Sequence, residues 1–390
     1  MPLQFPQAHG DWKFDLVGLL AIIGESIVSE VVQPLTASRT IFLPRLLPAP
    51  HALIRPSRRT ALPSRPISGI SVYSKQEITS LPYFPDMIHQ LDLIRPYEFQ
   101  EFNITLSAKA TSDRHQKIAT VRSFSPLKLL TVFSFLWTVG ILVWAILLGD
   151  GPAVVAIVLV SVASSLHSAA SFWQTSITKL SRLGAHIQGD LVLKTREGAF
   201  IVVHCTDQVA RLLYKSPLAC DYVAGGTAFQ ILISVGTLLL MVGIVVMSNC
   251  SWTMQVVLGA SYLALNAIYM VCALTPAVSQ YWHWDLSMFD IAVMQRNFCD
   301  NYTEALWEAM RATRETDWVV RGRHIPQTPN WNRWLDEAKR HYMDDDWDAT
   351  EAKDRYMGQA SHEVGETVPT SDDHSSWPTM GGPRRRLTIL

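Results

Sequence analysis

Residues 129–148 read LLTVFSFLWTVGILVWAILL, twenty consecutive residues without a charged side chain. Three further uncharged apolar runs follow at Pro152–Trp173, Gly226–Met247 and Trp252–Thr275. A helix of about 20 residues, rising ~1.5 Å per residue, spans the ~30 Å hydrocarbon core of a bilayer. A soluble core helix rarely sustains such a run, because one of its faces normally meets water. The sequence therefore predicts a multi-pass membrane protein whose four spans form two tight pairs.

The basic residues predict the orientation of these spans. Lys and Arg number 13 in residues 33–128, 6 in residues 174–225 and 13 in residues 276–390, whereas the connectors 149–151 and 248–251 hold none. Basic loops remain in the cytoplasm, and if the four runs cross in turn all three basic segments lie on one side. Both termini are therefore predicted to be cytoplasmic, in a membrane that the sequence does not identify.

The fold class predicted from these patterns is an all-α membrane protein. It is a four-span helical bundle with a small cytoplasmic ββα insert and a helical cytoplasmic C-terminus. The predicted segments are an N-terminal amphipathic helix (1–32), a Pro/Arg-rich cytoplasmic linker (33–127), a first transmembrane hairpin (128–173), the ββα insert (174–225), a second transmembrane hairpin (226–275), a cytoplasmic helical region (276–357) and a disordered tail (358–390).

Local sequence patterns support the assignments of the linker, the insert and the C-terminal region. The linker is predicted because its prolines oppose helices and central strands. In the insert, β-rich runs at Asp190–Thr195 and Ala199–Cys205 flank a turn with Gly198, and Thr206 opens a short helix. After the fourth apolar run, Asp285–Thr316 and Trp331–Tyr356 are predicted as amphipathic helices.

The composition limits the classes of partner. A net charge of −1 gives no general attraction for nucleic acid. Residues 33–128, however, carry 13 basic against 6 acidic side chains. We favour a topology signal and a solvated linker for this excess, with anionic lipid headgroups as the alternative ligand. The predicted partners are the lipid bilayer and a protein bound at the insert or at the C-terminal helices.

The string RLGAHIQGDLVLKTREGAFIVVHCT, residues 182–206, resembles a segment of uncharacterised multi-pass membrane proteins of filamentous fungi. The resemblance covers residues 180–290 best, with a weaker similarity at Leu19–Val32. That group has no assigned activity, so the resemblance implies a membrane protein and transfers no functional residue. The group also has further apolar segments where this chain has Ile41–Gly69, so residues 33–70 are either a divergent linker or an altered apolar region.

One acidic cluster formally matches a metal-binding motif. Asp344, Asp345 and Asp348 fit DDxxD, with which isoprenoid enzymes hold Mg²⁺ against a diphosphate. The second motif that such a site needs is incomplete at Asp300–Glu304. We therefore favour an acidic, solvated helix face. The five cysteines form no CxxC or Cys/His ligand spacing, and no cofactor or catalytic residue is predicted.

Two histidine pairings are weaker candidates for catalysis. His204 and Cys205 are neighbours on a predicted strand, so their side chains point to opposite faces. His283 and Asp285 follow the fourth apolar run, where a Trp-rich string is typical of an interface anchor. A packed hairpin is the favoured interpretation of the first pair. An interface anchor, with His283 in reach of lipid headgroups or Asp285, is the favoured interpretation of the second.

Polar residues inside the apolar runs are the remaining candidates. The second run carries Ser161, Ser164, Ser165, Ser168 and the ionisable His167. Small residues at helical spacing favour close helix packing, with His167 bonded to a partner such as Asn266 in the fourth run. Asn249, in the predicted lumenal connector, is a possible glycosylation site.

The sequence therefore predicts a non-catalytic membrane accessory or scaffold protein. A membrane-bound enzyme of lipid or isoprenoid metabolism, using the acidic cluster, is the first alternative. A small transport-related protein, using the His167 stripe, is the second.

Overall fold

The computed structural model describes residues 32–47, 62–107, 115–175, 177–179, 187–215, 220–275, 278, 280–344 and 346–365. The chain divides into two compact units, Met1–Gly322 and Arg323–Leu390. The predicted N-terminal helix lies outside the described residues except for Val32. The tail after Gly365 lies outside them as well.

The helices of the first unit include the four apolar runs. In chain order they are α1 (Tyr83–His89), α2 (Pro126–Leu148), α3 (Gly151–Ser171), α4 (Asp207–Ala210), α5 (Gly226–Met247), α6 (Trp252–Leu274), α7 (Tyr302–Thr313) and α8 (Asp317–Arg321). Helices α2, α3, α5 and α6 are long and apolar enough to cross a membrane. The prediction of four such helices is confirmed, with boundaries within a few residues of the apolar runs.

The two connectors between these helices are joined by Asp150. Gly149 ends α2 with φ +68°, and the Asp150 carboxylate accepts the Ala153 N–H (3.0 Å) at the start of α3. The other carboxylate oxygen accepts the Ser251 N–H (2.8 Å) at the start of α6. One side chain therefore caps α3 and also ties the tips of both hairpins together.

The all-α fold class is wrong, because the first unit contains a six-stranded mixed sheet. Numbered with all strands in chain order, its members are β1 (Ser64–Ser71), β2 (Glu77–Pro82), β3 (Glu98–Leu106), β8 (Leu191–Lys194), β9 (Phe200–Cys205) and β12 (Phe289–Phe298). The spatial order is β12-β3-β9-β8-β1-β2. Only the β3–β9 pair is parallel within this sheet.

The remaining strands are short and form two-stranded ladders. They are β4 (His115–Lys117), β5 (Thr120–Val121), β6 (Trp173–Thr175), β7 (Ile177–Lys179), β10 (Cys220–Tyr222) and β11 (Trp284–Asp285). Strand β4 pairs with β7, β5 with β11 and β6 with β10, each antiparallel. These ladders join segments that flank the ends of the apolar helices.

The predicted ββα insert is present, but it forms the centre of the six-stranded sheet. Gly198 makes the β8–β9 turn with φ +83°, and α4 follows with Thr206 as its N-cap. A π-helical turn at Arg211–Lys215 continues α4. Leu191, Val192 and Leu193 are fully buried. Strands from elsewhere in the chain therefore help to bury the apolar residues of the insert, which is too small to bury them alone.

The predicted linker contains three strands of the sheet. Pro66 is accommodated in β1 because the register with β2 shifts between Pro66 and Gly69. Pro82 ends β2, where a ladder donor is not needed. Residues 48–61, which hold much of the Pro/Arg-rich stretch, lie outside the described residues.

The predicted long helix Asp285–Thr316 is also wrong. Its first part is β12 and its second part is α7. Phe289 and Val293 are spaced to suit a helix, but with Ile291 between them they suit strand alternation equally. Asn301 marks the boundary, because its side chain accepts the Glu304 N–H (3.0 Å) and caps α7.

The second unit contains two helices where one was predicted. They are α9 (Pro329–Ala338) and α10 (Ala349–Gly365). The fully buried Trp334 donates its indole N–H to the Ala349 carbonyl (2.9 Å). This bond joins the first residue of α10 to α9.

A non-helical segment is buried among the apolar helices. After a 3-10 turn at Arg39–Phe42 the backbone runs without regular structure to Leu47. The Leu46 N–H donates to Thr138 Oγ1 (2.9 Å), and Ser134 Oγ donates to the Leu46 carbonyl (3.0 Å). Two hydroxyls of α2 thus satisfy backbone groups that would otherwise be unpaired.

Helix α3 holds the same segment from its polar side. Ser164 Oγ donates to the Arg45 carbonyl (2.8 Å), and Ser165 Oγ donates to the Phe42 carbonyl (3.1 Å). Ser164 and Ser165 of the serine stripe of α3 therefore hold backbone carbonyls of this segment. Arg45 is itself fully buried and donates to the Ile41 carbonyl (3.0 Å).

Candidate anion-binding pocket

His167 lies at the contact between α3 and α5. It is fully buried, and its Nε2 is 3.4 Å from Thr237 Oγ1. One hydrogen bond of His167 therefore runs to α5, whereas the sequence interpretation named Asn266 of α6 as a partner. Gly236 packs directly on the imidazole ring. The surroundings of His167 are those of a helix contact.

The other predicted site residues are not drawn together into a site. Asp344 Oδ1 accepts the Asp346 N–H (3.2 Å), and Asp348 Oδ1 caps α10 through the Thr350 N–H (2.8 Å). Asp345 lies outside the described residues. Among the residues described, no group of three His, Cys, Asp or Glu could hold a metal ion. Asn249 lies in the α5–α6 connector and donates to the Val245 carbonyl (2.9 Å).

A cavity of about 280 Å³ lies near the first turn of α2 and the end of α3. The short strands β4, β5, β6 and β11 form part of its wall. We call this cavity the basic pocket. Phe172, Val121 and Trp284 give it an apolar wall. Trp284 pairs with Val121 in the β5–β11 ladder, which fixes that side.

Three cations line the basic pocket, namely Arg39, Lys117 and Lys128. They come from the 3-10 turn, from β4 and from the first turn of α2. The described lining includes no carboxylate and no imidazole. Three positive charges around one small cavity, without an internal counter-ion, suit an anionic ligand.

Hydrogen bonds hold the polar side of the basic pocket in place. Lys117 Nζ donates to Gln174 Oε1 (2.5 Å), and Thr175 Oγ1 donates to the Ala119 carbonyl (2.8 Å). Both bonds join β6 to the segment that carries Lys117. The lysine is therefore oriented by the fold and does not extend freely into solvent.

The N-terminus of α2 adds positive potential beside the basic pocket. Its N-cap residue, Ser125, makes no capping bond, because its hydroxyl bonds His283 Nδ1 (2.7 Å). The backbone N–H groups of the first turn are thus left without a side-chain cap, and Lys128 stands in that turn. Uncapped helix N-termini favour anions through their dipole and free N–H groups.

The Ser125–His283 pair is a structural contact. Ser125 and His283 are both fully buried. Burial lowers the pKa of His283 to about 4, so the imidazole is neutral at pH 7. Asp285 is engaged elsewhere, since its carboxylate accepts the Ser287 N–H (3.1 Å). The sequence interpretation placed His283 within reach of lipid headgroups or Asp285, whereas in the structure it is buried and bonded to Ser125.

A second titratable cluster lies on the six-stranded sheet. His204 bonds Asp190 through Nδ1 (2.9 Å) and Glu101 through Nε2 (3.0 Å). The Asp190 bond and the two negative charges raise the pKa of His204. Cys205 belongs to the core on the other face, where burial raises the pKa of its thiol to about 12. The two residues therefore do not form a nucleophile–base pair.

This cluster predicts a pH-dependent contribution to stability. Because the folded protein raises the pKa of His204, the contribution is complete below the unfolded value of about 6.5 and is lost as pH rises through the folded value. We expect His204→Gln to lower the Tm by roughly 2–4 °C at pH 5.5, the shift that about 1 kcal/mol produces in a large domain. The difference from wild type should shrink above pH 8.

The measurement is thermal unfolding of the detergent-solubilised protein across this pH range. Asp190→Asn is the matched control, because its amide oxygen retains the bond to the Cys205 N–H while the charge beside His204 is removed. It should flatten the same pH dependence. An equal Tm difference at pH 5.5 and pH 8.5 for His204→Gln would contradict the assignment.

No protein family, curated protein or solved structure matches this chain. The functional inference therefore depends on the geometry of the chain itself. Sequence reasoning identified the basic excess in residues 33–128 but not the pocket. Arg39, Lys117 and Lys128 are separated by up to 89 positions, and only the fold brings them together.

Proposed function

We propose that the chain is a four-span integral membrane protein with a non-catalytic, accessory role. In this arrangement α2, α3, α5 and α6 cross the bilayer, and the six-stranded sheet lies on the cytoplasmic side. Support comes from the length and apolar character of the four helices. The charge distribution supports the orientation, because the segments that supply the sheet carry nearly all the basic residues.

The geometry of the helix ends supports the same arrangement. Asp150 ties the two hairpin tips together at one end of the bundle. At the other end, β5 ends five residues before α2 begins, β6 starts two residues after α3, and β10 ends four residues before α5 begins. The buried segment that ends at Leu47 is compatible with a bilayer, because non-helical backbone is tolerated at membrane depth where protein surrounds it.

The observation that carries the non-catalytic role is the chemistry of the basic pocket. Its described lining offers cations and hydroxyls but no carboxylate and no imidazole, the side chains that most often act as general bases. Outside it, His204 is bonded to Asp190 and Glu101, and His283 is buried. These lining residues suit binding of a ligand better than its chemical conversion.

A protein partner is best sought at the second unit. The central strands β8 and β9 of the insert are largely buried within the sheet, so they offer little surface. Helices α9 and α10 carry exposed charged side chains, including Arg355 and Asp354. We therefore place the accessory surface on residues 329–344 and 346–358.

Impermeant maleimide labelling in sealed microsomes tests the orientation. Glu197→Cys, in the exposed β8–β9 turn, should react without permeabilisation. Ser248→Cys, in the α5–α6 connector, should react only after detergent is added. The unmodified chain measures the background from its five cysteines, of which Cys205, Cys220 and Cys250 are buried. The reverse pattern, or reaction of both residues before permeabilisation, would refute the proposed topology.

A further inference from the structure

We propose that the basic pocket binds the phosphate of an anionic membrane lipid, and that a lipid with a terminal phosphomonoester is the preferred ligand. The inference rests on the proposed membrane insertion, because the pocket lies at the level of the lipid headgroups only if α2 and α3 span the bilayer. It goes beyond that function by assigning a binding site and a class of ligand.

The charge of the pocket matches a phosphomonoester. Such a group carries about −1.5 to −2 charges at pH 7 and presents three acceptor oxygens. Arg39, Lys117 and Lys128 offer three cations, and in the described chain none of them forms an ion pair with a carboxylate. The Arg39 guanidinium can bind two phosphate oxygens at once, whereas each lysine acts as a point charge. A single negative charge, as in a phosphodiester, would leave more of this positive potential uncompensated.

The first turn of α2 strengthens the match. Ser125 cannot cap it, because the serine hydroxyl is held by His283 at 2.7 Å. Pro126 has no N–H, so the uncapped donors of this turn are the next backbone amides, those of Leu127 and Lys128. A phosphate beside Lys128 would complete the hydrogen bonding of a 23-residue helix.

The size and surroundings of the pocket favour a lipid over a large soluble ligand. A cavity of about 280 Å³ is just below the usual range of ~300–1,000 Å³ for drug-sized ligands, so it suits a small headgroup. Its wall includes Phe172 and Trp284. On the outer face of α2, Leu129 is 56% and Phe133 is 44% exposed. Acyl chains could follow this apolar face while the phosphate occupies the pocket.

Native mass spectrometry of the full-length protein in detergent provides the test. Phosphatidic acid is the probe, and phosphatidylserine and phosphatidylcholine are the comparison lipids. We expect one saturable phosphatidic acid adduct, with at least tenfold weaker binding of either comparison lipid. Arg39→Gln and Lys128→Gln should each weaken phosphatidic acid binding roughly tenfold, and the double variant should abolish it.

The control variant is Arg196→Gln, which removes the same charge from the exposed β8–β9 turn, outside the pocket. It should bind phosphatidic acid as wild type does. Equal losses in Arg196→Gln and Arg39→Gln, or equal binding of phosphatidylserine and phosphatidic acid, would mean general surface attraction and would overturn the proposal. Arg39→Lys keeps the charge, so partial recovery of binding shows that a loss in Arg39→Gln is not a folding defect.

A competition experiment with soluble phosphates distinguishes a lipid ligand from a free phosphate. Glycerol 3-phosphate and inorganic phosphate, each at roughly 10 mM, should leave the phosphatidic acid adduct in place if acyl contacts contribute to its affinity. Complete displacement would overturn the lipid assignment. Loss of lipid binding with correct maleimide topology would refute this inference alone, whereas reversed topology would refute the proposed function.

Discussion

Replacing Gly189 with alanine is expected to unfold the sheet region. An alanine Cβ at this position would lie 2.5 Å from both the Cα and the N of Asp207. These are backbone atoms, so no side chain can rotate to relieve the clash. Two backbone bonds fix this close approach: Gly189 N–H to the Cys205 carbonyl and Asp207 N–H to the Ile187 carbonyl, both 2.8 Å.

The damage should extend beyond the clash. Asp207 begins α4, and its carboxylate binds Arg211 (2.6 Å) and Lys215 (3.2 Å). Moving its backbone would therefore disturb the helix that follows β9. We expect a loss of about 4 kcal/mol, at the upper end of single-substitution effects.

Thermal unfolding in detergent, followed by tryptophan fluorescence, measures this effect. Trp173 and Trp284 are buried in the same core and report on it. Gly151→Ala is the control, because a Cβ there would meet nothing within 4 Å. It should melt as wild type does. If Gly189→Ala also melts with wild type, the backbones of residues 187–190 and 205–207 do not approach each other closely.

The parts of the fold that could be predicted are those encoded locally. An uncharged run of 20 residues is sufficient by itself to indicate a long apolar helix, and the turn at Gly198 is a local hairpin signal. The second partner of β9 is not local. Strand β3 lies about 100 positions earlier, and the pairing of Phe99 with Phe200 leaves no trace in either segment alone.

Errors arose where one pattern fits two structures. Phe289 and Val293 satisfy helical and strand spacing together, and β12 was therefore predicted as helix. The Asn301–Glu304 capping pair could have revealed the start of α7, because an N-cap cannot lie inside a helix. The prolines of β1 and β2 led to the prediction of a linker where the structure has strands. A register shift accommodates Pro66, and Pro82 lies at the end of its strand.

The serine stripe of α3 shows the limit of site prediction. Its packing role was predicted from the spacing of Ser161, Ser164, Ser165 and Ser168. The hydroxyl of Ser164, however, donates to the carbonyl of Arg45. Arg45 lies in a stretch predicted to be a cytoplasmic linker. A side chain's role can be inferred from its own helix, whereas its partner depends on how distant segments fold.

The second large effect is expected at Gly236, where α5 packs against α3. An added Cβ would lie 2.9 Å from Cδ2 and Nε2 of His167 and 3.3 Å from Cβ of Leu166. His167 is fully buried, so its ring has little room to move. Gly236→Ala should cost about 1–3 kcal/mol by overpacking, and Gly236→Leu should cost more, because it forces the helices apart.

Two comparisons separate this clash from a general effect of replacing glycine in a helix. Gly140→Ala, within α2, has nothing within 4 Å of its new Cβ and should not lower the Tm, because alanine favours helix more than glycine does. His167→Ala combined with Gly236→Ala should recover part of the loss, since the smaller side chain vacates the contested space. The two losses would then be less than additive. Strict additivity would contradict direct packing of His167 on Gly236, and with it the assignment of this histidine to the α3–α5 contact.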